Sequence, residues 1–124
     1  MGRILVVDDS WFQRKQIAKI LKAHGHGMIE AVDGKDAVDK ALEEKPDCML
    51  LDLLMPEMDG IQVLEYLRKE ESDIPVIVLS ADIQDTTRAK CFELGVADFI
   101  NKPVNEESLR DALANVLGEK EEDS

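Results

Sequence analysis

The chain has 124 residues, of which 44% are hydrophobic and 34% charged, a balance ordinary for one globular domain with its own core. A formal net charge of −12 with no basic patch excludes nucleic-acid binding. No apolar stretch approaches the ~18 residues of a membrane span, and Met1-Gly2-Arg3 leads into a strand too early for a signal peptide.

Strand and helix patterns alternate five times. Arg3–Val7 reads as a strand and Ser10–Lys22 as a helix with Ile17, Ile20 and Leu21 on its inner face. Met28–Val32 is a weaker strand. Asp33-Gly34 turns it into a helix over Lys35–Glu44, with Asp33 as N-cap, Ala37, Val38, Ala41 and Leu42 inward, and Lys45-Pro46 as the stop. The third strand, Asp47–Leu51, opens into a loop, Leu53–Asp59, and a helix from Gly60 to Glu70 with Ile61, Leu64 and Leu67 inward. Ile74-Pro75 opens the fourth strand, and a helix over Gln84–Leu94 ends at Gly95, in the C′ role that suits glycine. The fifth strand, Ala97–Asn101, breaks at Lys102-Pro103. The last helix starts from Asn105 as N-cap, carries Glu106 and Glu107 in its first turn, and buries Leu109, Ala112, Leu113, Val116 and Leu117. Gly118 ends it, so residues 1–118 form the domain and 119–124 an acidic, solvated tail. Continuous apolar runs of Val, Ile and Leu are the pattern of strands covered on both faces, so the fold class is α/β, a (βα)5 doubly wound parallel five-stranded sheet. Cys48 and Cys91 read as buried free thiols, too few and too isolated for a zinc site.

Four of these runs end on residues fit for phosphate and metal chemistry. Val7 is followed by Asp8-Asp9, Leu51 by Asp52, Leu79 by Ser80, and Asn101 by Lys102. Ligands of open α/β sheets bind beyond the carboxyl ends of the strands, so these side chains converge on one rim. Alone, each has a plain alternative as a helix cap, a turn residue or a solvated charge; together they describe a site. Asp52 is the candidate nucleophile, since a carboxylate can attack phosphorus to form an acyl phosphate. An anionic nucleophile meeting an anionic donor requires a cation. Asp8 and Asp9 suit Mg2+ or Mn2+, with Asp9 in direct contact and Asp8 acting through water or behind the first ligands. Lys102 can hold a phosphoryl oxygen or, before transfer, the Asp52 carboxylate, and Ser80 can donate its hydroxyl to another oxygen. Carboxylates ~5 Å apart repel by about 3 kcal/mol at an effective dielectric of 20. At least one carboxyl of the metal-free site is therefore expected to titrate high.

With these residues in place the chain resembles the receiver domains of two-component response regulators, the CheY-like family, over Arg3 to Leu117. The motifs are Val7-Asp8-Asp9-Ser10, Leu51-Asp52-Leu53-Leu54-Met55-Pro56-Glu57-Met58-Asp59-Gly60, Leu79-Ser80-Ala81 and Phe99-Ile100-Asn101-Lys102-Pro103. The resemblance implies a flavodoxin-like strand order 2-1-3-4-5 and phosphoryl transfer from a sensor histidine kinase or histidine phosphotransfer protein to Asp52. The receiver itself would catalyse that transfer and the later hydrolysis. It also implies a metal site of Asp8, Asp9, Asp52 and the backbone carbonyl of Leu54, and a cis Lys102-Pro103 bond. In the implied switch Ser80 moves toward the phosphoryl group, Phe99 fills the space behind it, and the surface of helix 4, strand 5 and helix 5 is remodelled for a downstream protein target. Phe99 also reads simply as a core aromatic. A cytoplasmic location goes with this family, and the abrupt tail favours a free-standing messenger over part of a longer regulator.

Several positions are individual to this chain. Leu54, Ala81 and Asp82 should border the phosphoryl group, with Leu54 screening water and Asp82 affecting its orientation. One of Trp11 and Phe12 is expected to pack inward; the sharper alternative makes Trp11 a kinase-docking anchor. A haloacid-dehalogenase-type phosphatase would need a second Asp where Leu54 stands, and a flavin carrier would not place Asp8-Asp9 beside a phosphate. A pseudo-receiver that takes no phosphate is expected to have lost one of the five site residues, and all five are present.

Overall fold

A computed structural model of the chain describes residues 2–55, 58–82 and 84–118; Pro56 and Glu57 of the long loop and the expected 119–124 tail lie outside the described residues. Five strands and five helices alternate: β1 (Arg3–Val7), α1 (Trp11–Ala23), β2 (Gly27–Ala31), α2 (Gly34–Glu44), β3 (Cys48–Asp52), α3 (Gly60–Lys69), β4 (Val76–Ser80), α4 (Asp85–Glu93), β5 (Asp98–Asn101) and α5 (Glu106–Leu117). The strands form one parallel sheet in the order β2-β1-β3-β4-β5. This is the doubly wound fold expected from the alternation.

Side chains alternate across the sheet, so each apolar run feeds two cores. Leu5, Val7, Met49, Leu51, Val76 and Val78 pack with α2 and α3 residues such as Ala37, Ala41, Val63 and Leu67. Ile4, Val6, Cys48, Leu50, Ile77 and Leu79 pack with Ile17 and Leu21 of α1 and Leu109 and Leu113 of α5. All five residues of β3 and of β4 are buried. Sheet centres sealed on both faces leave their strand ends as the place where polar side chains can meet solvent. Cys48 and Cys91 are free and buried, and burial pushes the Cys48 thiol up to about 12, so it is an inert neutral group. Among the described residues no helix is long and apolar enough to cross a membrane.

The helix starts follow local chemistry. Ser10 accepts from the Gln13 N–H, Asp33 from Asp36 and Asn105 from Ser108. Asp59 and Gln62 form a reciprocal capping box at α3. Gly95 and Gly118 take the left-handed conformation at helix ends. Two inward assignments fail. Trp11 and Phe12 are 63% and 59% exposed, because at 100° per residue they lie about 120° and 140° round α1 from buried Ile17. Leu42 is 45% exposed, since the buried stripe of α2 runs through Gly34, Ala37, Val38 and Ala41 and leaves it at the edge. On α3, Ile61 packs partly buried against the core as expected, and Val63 joins Leu64 and Leu67 among the buried residues.

Gly60 is a close approach that positions the end of β3. Its N–H donates to the Leu53 carbonyl at 2.9 Å, and a Cβ there would stand 2.7 Å from Leu53 Cα and 2.8 Å from the Asp52 carbonyl oxygen. Gly60→Ala is therefore expected to destabilise the fold by roughly 1–3 kcal/mol through backbone displacement, read as a lower denaturant midpoint. An unchanged midpoint would show that α3 can shift away without cost.

Candidate functional site

Strand register assembles the site. Val7 lies level with Leu51 in the β1–β3 pair, so the next residue on each strand, Asp8 and Asp52, emerges side by side on strands about 4.8 Å apart. In the β4–β5 pair Ser80 lies level with Asn101. Lys102 follows, its N–H donating to the Ser80 carbonyl at 2.8 Å, and the Lys102-Pro103 bond is cis. The Lys102 ammonium reaches back across the rim to Asp8 at 3.2 Å and Asp52 at 3.3 Å. Asp8 is 2% and Asp52 5% exposed, whereas Asp9 is open to solvent. One carboxylate oxygen from each of Asp8, Asp9 and Asp52 lies within 4.8 Å of the others.

Charge and burial are in tension here. The Asp52 carboxyl titrates above the ordinary carboxylate range, chiefly because burial penalises its charged form; the Asp8 carboxylate adds to this, while Lys102 and the Leu54 N–H oppose it. A raised carboxyl was expected, but from repulsion. Burial is the larger cause, because Lys102 offsets more than Asp8 contributes. Three hard oxygen donors around a partly open space, one of them unwilling to ionise alone, are the donor set of a small divalent cation, and the residues fit one.

The remaining expected residues are distributed unevenly. Leu54 donates its N–H to Asp52 Oδ1 at 3.4 Å while its side chain is 66% exposed. Ser80 is fully buried, and its Oγ accepts from the Asp82 N–H at 3.0 Å. Ala81 is exposed. Asp82 turns its carboxylate toward α4, accepting from the Gln84 N–H at 2.9 Å and the Thr87 hydroxyl at 2.7 Å. Those two bonds, Gln84 first, hold its carboxyl below the ordinary range. Phe99 is buried in the core with the Arg88 guanidinium 5.4 Å from its ring centroid.

Two contributors went unnoticed in the sequence. Arg14 donates to the Asp8 carbonyl at 2.7 Å and to Glu30 at 2.8 Å, pinning the end of β1; its position four residues beyond Ser10 on α1 was the only signal. Thr87 gave none, since its role depends on how the loop before α4 folds.

Comparison with known proteins places this geometry. The family model for the response regulator receiver domain matches residues 4–114. Protein PilH of Pseudomonas aeruginosa is 40% identical over 119 residues, covering 94% of this chain and 98% of that protein. A protein-glutamate methylesterase/protein-glutamine glutaminase of Treponema pallidum is 42% identical over 109 residues, which cover 85% of this chain but 27% of that protein. The solved CheX-CheY-BeF3-Mg2+ complex from Borrelia burgdorferi superposes with a TM-score of 0.88 at 32% identity, covering 92% of this chain and 87% of that one.

A carboxyl that binds its proton more tightly folded than unfolded loses stability as pH rises through its raised value. Asp52→Asn removes that penalty. It is expected to raise the melting temperature of the metal-free protein at pH 7, with the gain shrinking toward pH 4. A gain that is absent at pH 7, or that grows on acidification, would contradict the assignment.

Proposed function

The chain belongs to the response regulator receiver domain family, and on that premise we propose that it accepts a phosphoryl group on Asp52 from a sensor histidine kinase or histidine phosphotransfer protein. The observation that carries the reading is the Lys102 ammonium within 3.3 Å of both buried carboxylates, beside an acidic trio gathered within 4.8 Å. In the transfer an Asp52 carboxylate oxygen bonds to phosphorus, the P–N bond to the donor imidazole breaks, and its electron pair leaves with that nitrogen. Lys102 is already placed to follow the negative charge from carboxylate to phosphoryl oxygen. Ser80 supplies a hydroxyl donor once it turns from its present bond. A Mg2+ or Mn2+ ion held by Asp8, Asp9, Asp52 and the Leu54 carbonyl would supply the remaining positive charge that phosphoryl transfer requires.

Exposed Trp11, with the Lys15 ammonium 4.8 Å from its ring centroid, stands one residue beyond the cap of α1 and is the proposed contact for the phosphodonor. The output is protein binding through the face formed by α4, β5 and α5, with Phe99 as the buried switch residue. Residues 1–118 act as the receiver unit. The two buried free thiols suit a reducing, cytoplasmic compartment. A pseudo-receiver reading is disfavoured by an acidic site that is assembled as well as present in the sequence.

With Mg2+ and a small phosphodonor such as acetyl phosphate, the protein is expected to gain one PO3 group by mass spectrometry, and Asp52→Asn to gain none. Equal labelling of the two proteins would place the phosphoryl group elsewhere. Mg2+ at a hundred times its Kd stabilises by about 2.7 kcal/mol, a rise in melting temperature of roughly 10 °C for a domain of this size. Asp9→Asn is expected to lose that rise. Coincident melts of the unsubstituted protein with and without Mg2+ would count against the metal site.

A further inference from the structure

Asp9 is the least firmly held member of the acidic trio. It is open to solvent, and among the described residues its carboxylate makes no hydrogen bond or ion pair. Asp8 and Asp52, by contrast, are buried and both face the Lys102 ammonium. The direction of the Asp9 side chain is therefore set by the two peptide planes that flank it. The plane after Asp9 is fixed by the Ser10 N–H, which donates to Asp8 Oδ1 at 2.9 Å. The plane before it carries the Asp8 carbonyl, and Arg14 Nη1 donates to that oxygen at 2.7 Å. The Arg14 side chain is only 11% exposed, and its Nε donates to Glu30 Oε1 at 2.8 Å. Glu30 lies on β2, level with Val6 of β1. The guanidinium thus spans from α1 to the neighbouring edge strand and grips the peptide that leads into Asp9.

We propose that Arg14 is a positioning residue for the divalent cation: by holding the Asp8 carbonyl it aims the Asp9 carboxylate at the oxygens of Asp8 and Asp52. This rests on the metal site of the proposed function, and deepens it by naming what fixes its one exposed ligand. Mg2+ demands near-ideal octahedral geometry, and a ligand is productive only when held within about 0.5 Å and 10–20° of its place. An exposed carboxylate with no partner of its own meets that demand only through its backbone. Arginine suits the task because its planar fork donates in two directions at once, to the carbonyl and to Glu30, where an ammonium is a point charge. The sign of the effect separates aim from charge. Removing a positive charge beside a cation site tightens binding by Coulomb's law, whereas removing the grip on Asp9 loosens it.

The test is calorimetric titration of the full, metal-free chain with Mg2+ and, separately, with Ca2+, for the unsubstituted protein, Arg14→Met and Arg14→Lys. Arg14→Met is expected to raise the Mg2+ Kd by roughly tenfold or more, the usual cost of losing a partner behind a metal ligand. Arg14→Lys keeps the charge but not the fork, and is expected to raise it by at least about threefold. It decides the question should Arg14→Met not fold. The Ca2+ Kd is expected to change less than about twofold in both variants, because Ca2+ accepts irregular oxygen cages. A Mg2+ affinity that is unchanged or tighter in Arg14→Met overturns the positioning role, since Arg14 then acts by charge or packing alone. Mg2+ and Ca2+ affinities that fall in parallel also overturn it, as the mark of a site loosened as a whole. If the unsubstituted protein itself takes up no Mg2+, the metal site falls, and the role of Arg14 with it.

Discussion

One ammonium stands against two carboxylates that burial has stripped of most of their water, and that imbalance organises the rest of the structure. Lys102 sits 3.2 Å from Asp8 and 3.3 Å from Asp52, so it offsets part of the cost of burying them. It cannot neutralise both, and Asp9 adds a third negative group at the edge of the cluster. The carboxylates do not move apart because the backbone forbids it. Asp8 and Asp52 leave neighbouring strands at the same level, each at the end of a fully buried run. The Asp8 backbone is pinned from two further sides, by Arg14 on its carbonyl and by the Ala31 carbonyl on its N–H at 3.1 Å. The two-sided core thus keeps like charges together.

A site held short of positive charge suits a small divalent cation, as the proposed phosphoryl transfer to Asp52 would require. Stability lost at such a cluster is the usual cost of a functional arrangement, made up elsewhere in the fold. Here the compensation is visible in the paired cores on the two faces of the sheet. The polar partners of the rim are also shared rather than duplicated. The Lys102 N–H and the Asp82 N–H both bond to Ser80, one to its carbonyl and one to its hydroxyl. A change at any of the three is therefore felt by the others.

Much of this was legible in the chain because the buried strands and the site share one signal. Val, Ile and Leu runs covered on both faces can only be strands here, and polar residues that end such runs must lie at the rim. That logic placed Asp8, Asp52, Ser80 and Lys102 without any contact being known. It failed where outcome depends on angle or loop path. One of Trp11 and Phe12 was expected to pack inward by type, yet the phase of α1 set by Ile17 and Leu21 turns both to solvent. The bonds that hold the Asp82 carboxylate, from Gln84 and Thr87, could not be foreseen from its spacing from Ser80. Arg14 drew no assignment, because its spacing from Ser10 alone does not show a side chain that bonds a strand-end carbonyl. The cause of the raised Asp52 carboxyl was likewise beyond reach, since burial and the position of Lys102 are properties of the packed chain.

The central claim is that the Asp8, Asp9 and Asp52 cluster lacks positive charge until a divalent cation joins it. Titration of the side-chain carboxyl carbons by 13C NMR, with and without Mg2+, reads this at the residue concerned. Asp52 should show a midpoint above the usual aspartate value of about 3.9 in the metal-free protein, and a clear fall when Mg2+ is present. A midpoint at the ordinary value, unmoved by the ion, would contradict the account.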